Sequence, residues 1–224
     1  QIPHEFILLK GIPVPEKGKY GTGLVFLPKD KTEQDKILKV MIEVIEAEGL
    51  NLMKLRDVPT NPACLGKVAL ESEPDIKQVF ITGVSNEDAP NLERKLYVIR
   101  KKIENQVNHK DFYIVSLSSK NIIYKGMLSS MQVRDYFDDL RDTYFTSGLA
   151  LVHSRFSTNT FPTWSLAQPF RLLCHNGEIN TVRGNRNWMK ARESVLNSGL
   201  LGDISGIRPI VQPNMSDSAS LDNV

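Results

Sequence analysis

At 224 residues the chain is sized for one large domain or two small ones, and 41% hydrophobic with 24% charged residues excludes a disordered, collagenous or coiled-coil polypeptide. Lys and Arg number 28 against 26 Asp and Glu, so the net charge of +2 supplies no global field that would call for nucleic acid or an anionic membrane. Two widely separated cysteines, Cys64 and Cys174, exclude a disulfide framework and cysteine-rich metal motifs and make a reducing cytoplasm the default, and no apolar run approaches the ~18 residues of a membrane span.

The start Gln1-Ile2-Pro3-His4 has neither a signal sequence nor an initiator methionine, and 216–224 reads as the first turns of a helix that runs out of sequence. The chain is therefore expected to be a piece cut at both ends. From the N-terminus, Thr22 to Leu27 predicts a strand, and Asp30 to Glu48 a helix with Ile37, Val40, Met41, Val44 and Ile45 at helical spacing before Gly49. Leu50 to Val58 and Ile76 to Thr82 predict two more strands, separated by the Pro59-Thr60-Asn61-Pro62 break. Residues 90–107 carry Leu92, Leu96, Val98, Ile99 and Ile103, the pattern of a long helix packed on a sheet.

Phe112 to Leu117 and Ile122 to Lys125 flank a short polar connection and predict a β-hairpin. Asp135 to Asp142 reads as a short acidic helix on the surface, and Leu149 to His153 and Leu172 to His175 as strands. Asn180 to Asn197 predicts a helix with Trp188, Met189 and Val195 as its apolar side. The fold class is α+β or layered α/β/α in a single domain.

Three groups of residues could carry chemistry. Asn176-Gly177 is a strong hairpin signal, and a plain turn is the simpler reading. A side-chain amide beside a glycine N–H also offers two donors to a developing oxyanion. In His153-Ser154-Arg155-Phe156-Ser157-Thr158-Asn159-Thr160, Arg155 suits a bidentate grip on a carboxylate, with Phe156 and Trp164 able to exclude water. Asp217, flanked by serines, has a helix cap as its bland role and the holding of a substrate ammonium as its functional one. His153 and His175 end apolar stretches, where a structural histidine is commoner than a general base. Arg183, Arg186, Lys190 and Arg192 form a basic stripe that could meet RNA or phosphate and reads better as a solvated helix face.

Together, 152–164, His175-Asn176-Gly177-Glu178-Ile179-Asn180-Thr181 and Gly184-Asn185-Arg186-Asn187-Trp188-Met189 resemble the glutaminase domain of glutamate synthase large subunits, and the likeness extends across the chain. That family belongs to the class II glutamine amidotransferases. The resemblance implies the four-layered αββα sandwich of the N-terminal-nucleophile hydrolases, truncated here at both ends, with residues 1–224 forming part of a type 2 glutamine amidotransferase domain. It implies hydrolysis of L-glutamine by an N-terminal cysteine that would lie upstream of Gln1, and inactivity without it.

By the same resemblance Arg155 binds the glutamine carboxylate, Asp217 its ammonium, Asn176 and Gly177 form the oxyanion hole, and Thr158 and Asn159 line the pocket. The parent enzyme would deliver ammonia to a synthase domain carrying FMN and an iron–sulfur cluster, aided by a small electron-donating subunit, in the cytoplasm; no cofactor is expected in this piece, nor a nucleic-acid or membrane partner. A non-catalytic glutamine-binding or subunit-docking module is the alternative.

Overall fold

A computed structural model describes residues 1–83, 89–158 and 160–224. The chain is α+β, built on an antiparallel sheet. Strand β1 (Tyr20–Leu27) is buried along its whole length because it lies inside the sheet with both faces covered. Its alternate side chains divide the core in two. Val25 and Leu27 point to a helical layer, and Leu24 and Phe26 to the opposite side. β2 (Leu50–Asp57) and β3 (Asp75–Gly83) complete the pattern that alternation and β-branched content predicted, and the order is β2-β3-β1-β4.

The register of β1 on β3 runs from Tyr20 opposite Thr82 to Leu27 opposite Asp75. A bulge between Leu52 and Lys54 shifts β2 by one residue. That shift lets both Leu52 and Leu55, at odd spacing, pack on the helical side.

α1 (His4–Leu9) lays Phe6 and Ile7 against Tyr20 and Phe80. The helical layer is α2 (Lys31–Ala47) and α4 (Ala89–Gln106), with the short α3 (Lys67–Glu71) between them in sequence. Asp30 caps α2 by accepting the Glu33 N–H at 2.9 Å, and Gly49 takes a φ of 72° just beyond it. Ile37, Met41 and Ile45 of α2 meet Leu92, Leu96, Ile99 and Ile103 of α4 over the sheet. Both helices match their predicted spans.

The other sheet face is covered by Val115, Tyr136, Phe137 and Trp164, drawn from long irregular segments and from α5 (Ser130–Tyr136), with Tyr113 of the sheet itself among them. Here the sequence expectations need correction. The hairpin 112–125 does not form: β4 is only Tyr113–Ile114 and pairs with β1, Ile114 opposite Val25. The reason is side-chain competition. Glu93 of α4 accepts from the Ser118 hydroxyl at 2.6 Å and from the Ser119 N–H and hydroxyl at 2.7 Å, and the Ser116 hydroxyl takes the Ile123 N–H, so the connection is tied to a helix instead of folding back.

The stretches 149–153 and 172–175 are not strands either, and Leu149, Val152 and Leu172 are exposed. The predicted helix 180–197 is shorter, α6 (Val182–Glu193), and Trp188 and Val195 face solvent instead of forming its apolar side. The acidic run is not wholly surface. Asp139 is buried in a bidentate pair with Arg56 (2.7 and 2.5 Å) and accepts the Tyr124 hydroxyl at 2.8 Å. α7 (Asp217–Asp222) closes the chain. Among the described residues no helix is long and apolar enough to cross a membrane.

Gly23 sits in β1 where a Cβ would collide with the Ser116 backbone carbonyl. Gly23→Ala is therefore expected to destabilise the fold by at least about 1–3 kcal/mol, the scale of overpacking against an unyielding neighbour, and urea unfolding of the two proteins checks it. A midpoint equal to that of the unsubstituted chain would show that the Ser116 backbone can move aside without loss.

Candidate active site

The Asn176-Gly177 corner is not the turn of a hairpin, because no strands flank it. It is held by its neighbours instead. The Asn176 carbonyl accepts the Thr158 N–H at 2.7 Å and the Thr158 hydroxyl at 3.2 Å, which fixes segment 153–158 against the corner. Gly177 has a φ of 95°, and a Cβ on it would lie 2.8 Å from the Thr158 nitrogen, 2.9 Å from the Ser157 Cβ and 3.2 Å from Asp217 Oδ1. Only glycine fits both the left-handed backbone and the gap. Glu178 and Thr181 follow at φ values of 67° and 56°, so the left-handed conformation recurs along this turn.

Both predicted histidines serve the corner. His153 Nε2 lies 3.0 Å from Asn176 Oδ1, which leaves the Asn176 Nδ2 donor free to point elsewhere, and His175 Nδ1 accepts the Gly177 N–H at 3.0 Å. A water or substrate oxygen at Gly177 would compete with that internal bond.

Asp217 comes from the opposite side. Ser216 supplies the α7 cap, accepting the Ala219 N–H at 3.1 Å, so the Asp217 carboxylate is released from capping and reaches across to the corner. It accepts the Ile179 N–H at 2.9 Å and the Ser218 N–H at 2.6 Å. Burial alone would raise its pKa, but those donors outweigh burial and hold the carboxyl below the ordinary aspartate value. It is an anion at neutral pH beside a corner whose Asn176 is exposed and whose Gly177 is buried.

Arg155 stands apart. Its backbone N–H donates to His153 Nδ1 at 3.0 Å, while its side chain is exposed and makes no hydrogen bond or ion pair among the described residues. Asn159 lies outside the described residues. The geometry therefore joins Thr158, Asn176, Gly177 and Asp217 and leaves the Arg155 guanidinium in solvent. Asp217 lines a small cavity of about 170 Å³ with Ile179, Arg186 and Ser220, and His153 and Ser154 edge a larger one of about 490 Å³. Arg155 and the corner line neither.

The basic stripe is also revised. Arg186 turns inward, donating to the Ser220 hydroxyl at 3.0 Å and the Met215 carbonyl at 2.5 Å, and so steadies the start of α7. Arg183, Lys190 and Arg192 are exposed.

Sequence reasoning missed the supports beneath the site. Arg171 is enclosed, donating to Glu104 at 2.9 Å and to the Ile114 carbonyl at 3.0 Å and pairing with Asp222. Lys125 is buried between the faces of Tyr113 and Phe170, 4.6 and 4.7 Å from their centroids, and donates to the Ser165 carbonyl at 2.7 Å. Burial pushes its ammonium well below the ordinary lysine value, and Arg171 adds repulsion. No short motif announces these residues; a charge inside an apolar stretch, as Arg171 in Phe170-Arg171-Leu172-Leu173, is the one signal available. Cys64 donates to the Asn61 carbonyl at 3.2 Å, and burial raises its thiol, the reverse of an activated nucleophile.

Comparison with known proteins identifies the family. The family model described as glutamine amidotransferases class-II matches residues 1–224. The chain is 50% identical over 230 residues to the NADPH glutamate synthase large chain of Bacillus subtilis, covering 100% of the chain and 15% of that protein. It is 43% identical over 239 residues to the NADH glutamate synthase of Saccharomyces cerevisiae, covering 100% of the chain and 11% of the relative. With the chloroplastic ferredoxin-dependent glutamate synthase of Spinacia oleracea the identity is 42% over 219 residues, covering 96% and 14%. The chain thus spans a small part of each of these relatives. Matched from end to end by one family model, and by relatives at 42–50% identity, this chain belongs to the class II glutamine amidotransferases.

Proposed function

We propose that the chain is part of the glutaminase domain of a glutamate synthase and that its site binds L-glutamine for hydrolysis to glutamate and ammonia. The observation that carries this reading is the low-pKa Asp217 carboxylate facing the Asn176-Gly177 corner, a charge of the right sign for an α-ammonium beside donors for the side-chain amide. In this reading Arg155, whose guanidinium is uncommitted among the described residues, closes on the α-carboxylate, and Thr158 and Asn159 line the pocket.

A cysteine with a free α-amine, elsewhere in the parent protein, attacks the amide carbon. The amine takes the thiol proton and passes it to the departing ammonia, and water then hydrolyses the thioester. Asn176 Nδ2 and the Gly177 N–H stabilise the tetrahedral oxyanion, the latter on leaving the His175 ring. Cys64 and Cys174 have no free α-amine, so the 224 residues alone are expected to bind and not to turn over.

The same reading makes the domain a partial one, residues 1–224, of a four-layered αββα sandwich, with the loop-covered sheet face as the side a second sheet would pack on. It places ammonia use in a synthase domain of the parent chain, served by a small electron-donating subunit in the cytoplasm. FMN and an iron–sulfur cluster belong to that parent. Two separate cysteines and no clustered His, Cys, Asp or Glu among the described residues do not fit a cluster site, so no step here runs through one.

Isothermal titration of the chain with L-glutamine tests the reading. Binding is expected, weakened at least about tenfold by Arg155→Ala or Asp217→Asn, the loss of one charge-assisted contact. Equal affinity in both variants, or no binding at millimolar glutamine, would rule the assignment out.

A further inference from the structure

Three buried polar side chains lie directly beneath the site, each next in sequence to a group that forms it or bonded to one that is. Ser157 precedes Thr158, Ser218 follows Asp217, and Gln168 grips His175, which precedes Asn176. Gln168, Ser157 and Ser218 are 7%, 3% and 0% exposed. The Gln168 side chain clamps His175 at both backbone groups: Oε1 accepts the His175 N–H at 2.9 Å, and Nε2 donates to the His175 carbonyl. Nε2 also lies 3.3 Å from Ser157 Oγ, Ser157 Oγ donates to Ser218 Oγ at 2.8 Å, and the Ser218 hydroxyl is 3.3 Å from the His175 carbonyl and 3.4 Å from Asp217 Oδ1.

We propose that Gln168 is a positioning residue that, through Ser157 and Ser218, sets the distance between the Asn176-Gly177 corner and Asp217. The donors run one way, from the Gln168 amide through two hydroxyls towards the Asp217 carboxylate, so the network both spaces the two sides and favours the anion. An amide is the group that can do this, because one end accepts and the other donates. A carboxylate at 168 keeps the bond from the His175 N–H but sets an acceptor against the His175 carbonyl and the Ser157 oxygen. Its role in catalysis rests on the glutaminase reading; the spacing itself does not.

The test is NMR on the whole 224-residue chain, following amide exchange and the Asp217 carboxyl titration in Gln168→Glu, Gln168→Met, Ser157→Ala and Ser218→Ala. Exchange at Thr158, Ile179 and Ser218 is expected to speed up at least tenfold in the Gln168 variants while the amides of β1 and β3 keep their protection. The Asp217 midpoint is expected to rise in the Gln168 variants as well as in Ser218→Ala. A merely packed glutamine would not move a carboxylate three hydrogen bonds away.

Unchanged local exchange together with an unchanged Asp217 midpoint would overturn the proposal. If Gln168→Met loses protection everywhere, the serine variants, which each remove one hydroxyl, decide by the same Asp217 titration. L-glutamine added to the same samples separates the two readings. Local loosening in the variants of a chain that does not bind glutamine would sustain the positioning role and reject the substrate.

Discussion

Arg171→Met is expected to destabilise the chain by about 3–5 kcal/mol, the cost of stripping one partner from buried opposite charges. The Arg171 guanidinium is shared between Glu104 of α4 and Asp222 of α7, and its backbone N–H also reaches Asp222 at 2.8 Å. Their side chains are 11%, 9% and 2% exposed, so water would screen little of what is lost. Without the guanidinium, Asp222 keeps, among the described residues, only the Arg171 backbone donor, and Glu104 keeps Arg100 at 3.0 Å and Lys101 at 3.6 Å.

The pH dependence has a definite sign. Burial would raise the Glu104 carboxyl, but Arg100, Arg171 and Lys101 together hold it below the ordinary glutamate value. A carboxyl depressed by folding contributes its stability fully above the unfolded value of ~4.3 and loses it as pH falls through the folded one. The unsubstituted chain should therefore weaken in acid more steeply than Arg171→Met, and urea unfolding at pH 7 and in acid measures both quantities. A loss under about 1 kcal/mol at pH 7, or parallel acid profiles, would show that the network carries no net coupling. Arg171→Lys should recover only part, since an ammonium cannot reach Glu104, Asp222 and the Ile114 carbonyl with one planar fork.

Asn176→Ala in the intact parent enzyme is expected to lower the turnover of glutamine hydrolysis by about 100- to 1,000-fold, the usual effect of deleting one oxyanion donor. The expectation follows from the orientation of the side chain. With Oδ1 engaged by His153 at 3.0 Å, the amide nitrogen is the end left for substrate. Ground-state binding to the 224-residue chain should change little, because the donor meets full charge only in the tetrahedral state. Steady-state kinetics of the parent, set beside titration of the chain, separates the two effects. An equal loss in affinity and turnover would move Asn176 from transition-state stabilisation to substrate binding.

How much of this was legible beforehand depends on the range of the interactions. β1, β2, β3, α2 and α4 follow from periodicity, with Asp30 and Gly49 marking the bounds of α2, because their stability comes from one apolar face and local caps. The corner and Asp217 could be singled out from the sequence, since a donor pair on a glycine turn and an acid between serines stand within a few residues. The hairpin 112–125 and the strands at 149–153 and 172–175 were not. In the first, Glu93 captured the serine connection; in the other two, Leu149, Val152 and Leu172 are exposed and no strand among the described residues pairs with them.

Asp139 looked like surface in an acidic run, and its partner Arg56 lies 83 positions away. Gln168, Ser157 and Ser218 are likewise ordinary polar residues until the fold encloses them.

The amino-acid sequence by itself determined α2, α4, the three long strands and the family, because apolar spacing and short polar motifs act over a few residues. Tertiary structure alone decided that Ser216 would cap α7 and leave the Asp217 carboxylate to face Gly177, that Gln168 would clamp His175, and that Arg171 would join α4 to α7. Each of these is a hydrogen bond or ion pair whose strength depends on the exclusion of water, and water is excluded only after distant segments have packed.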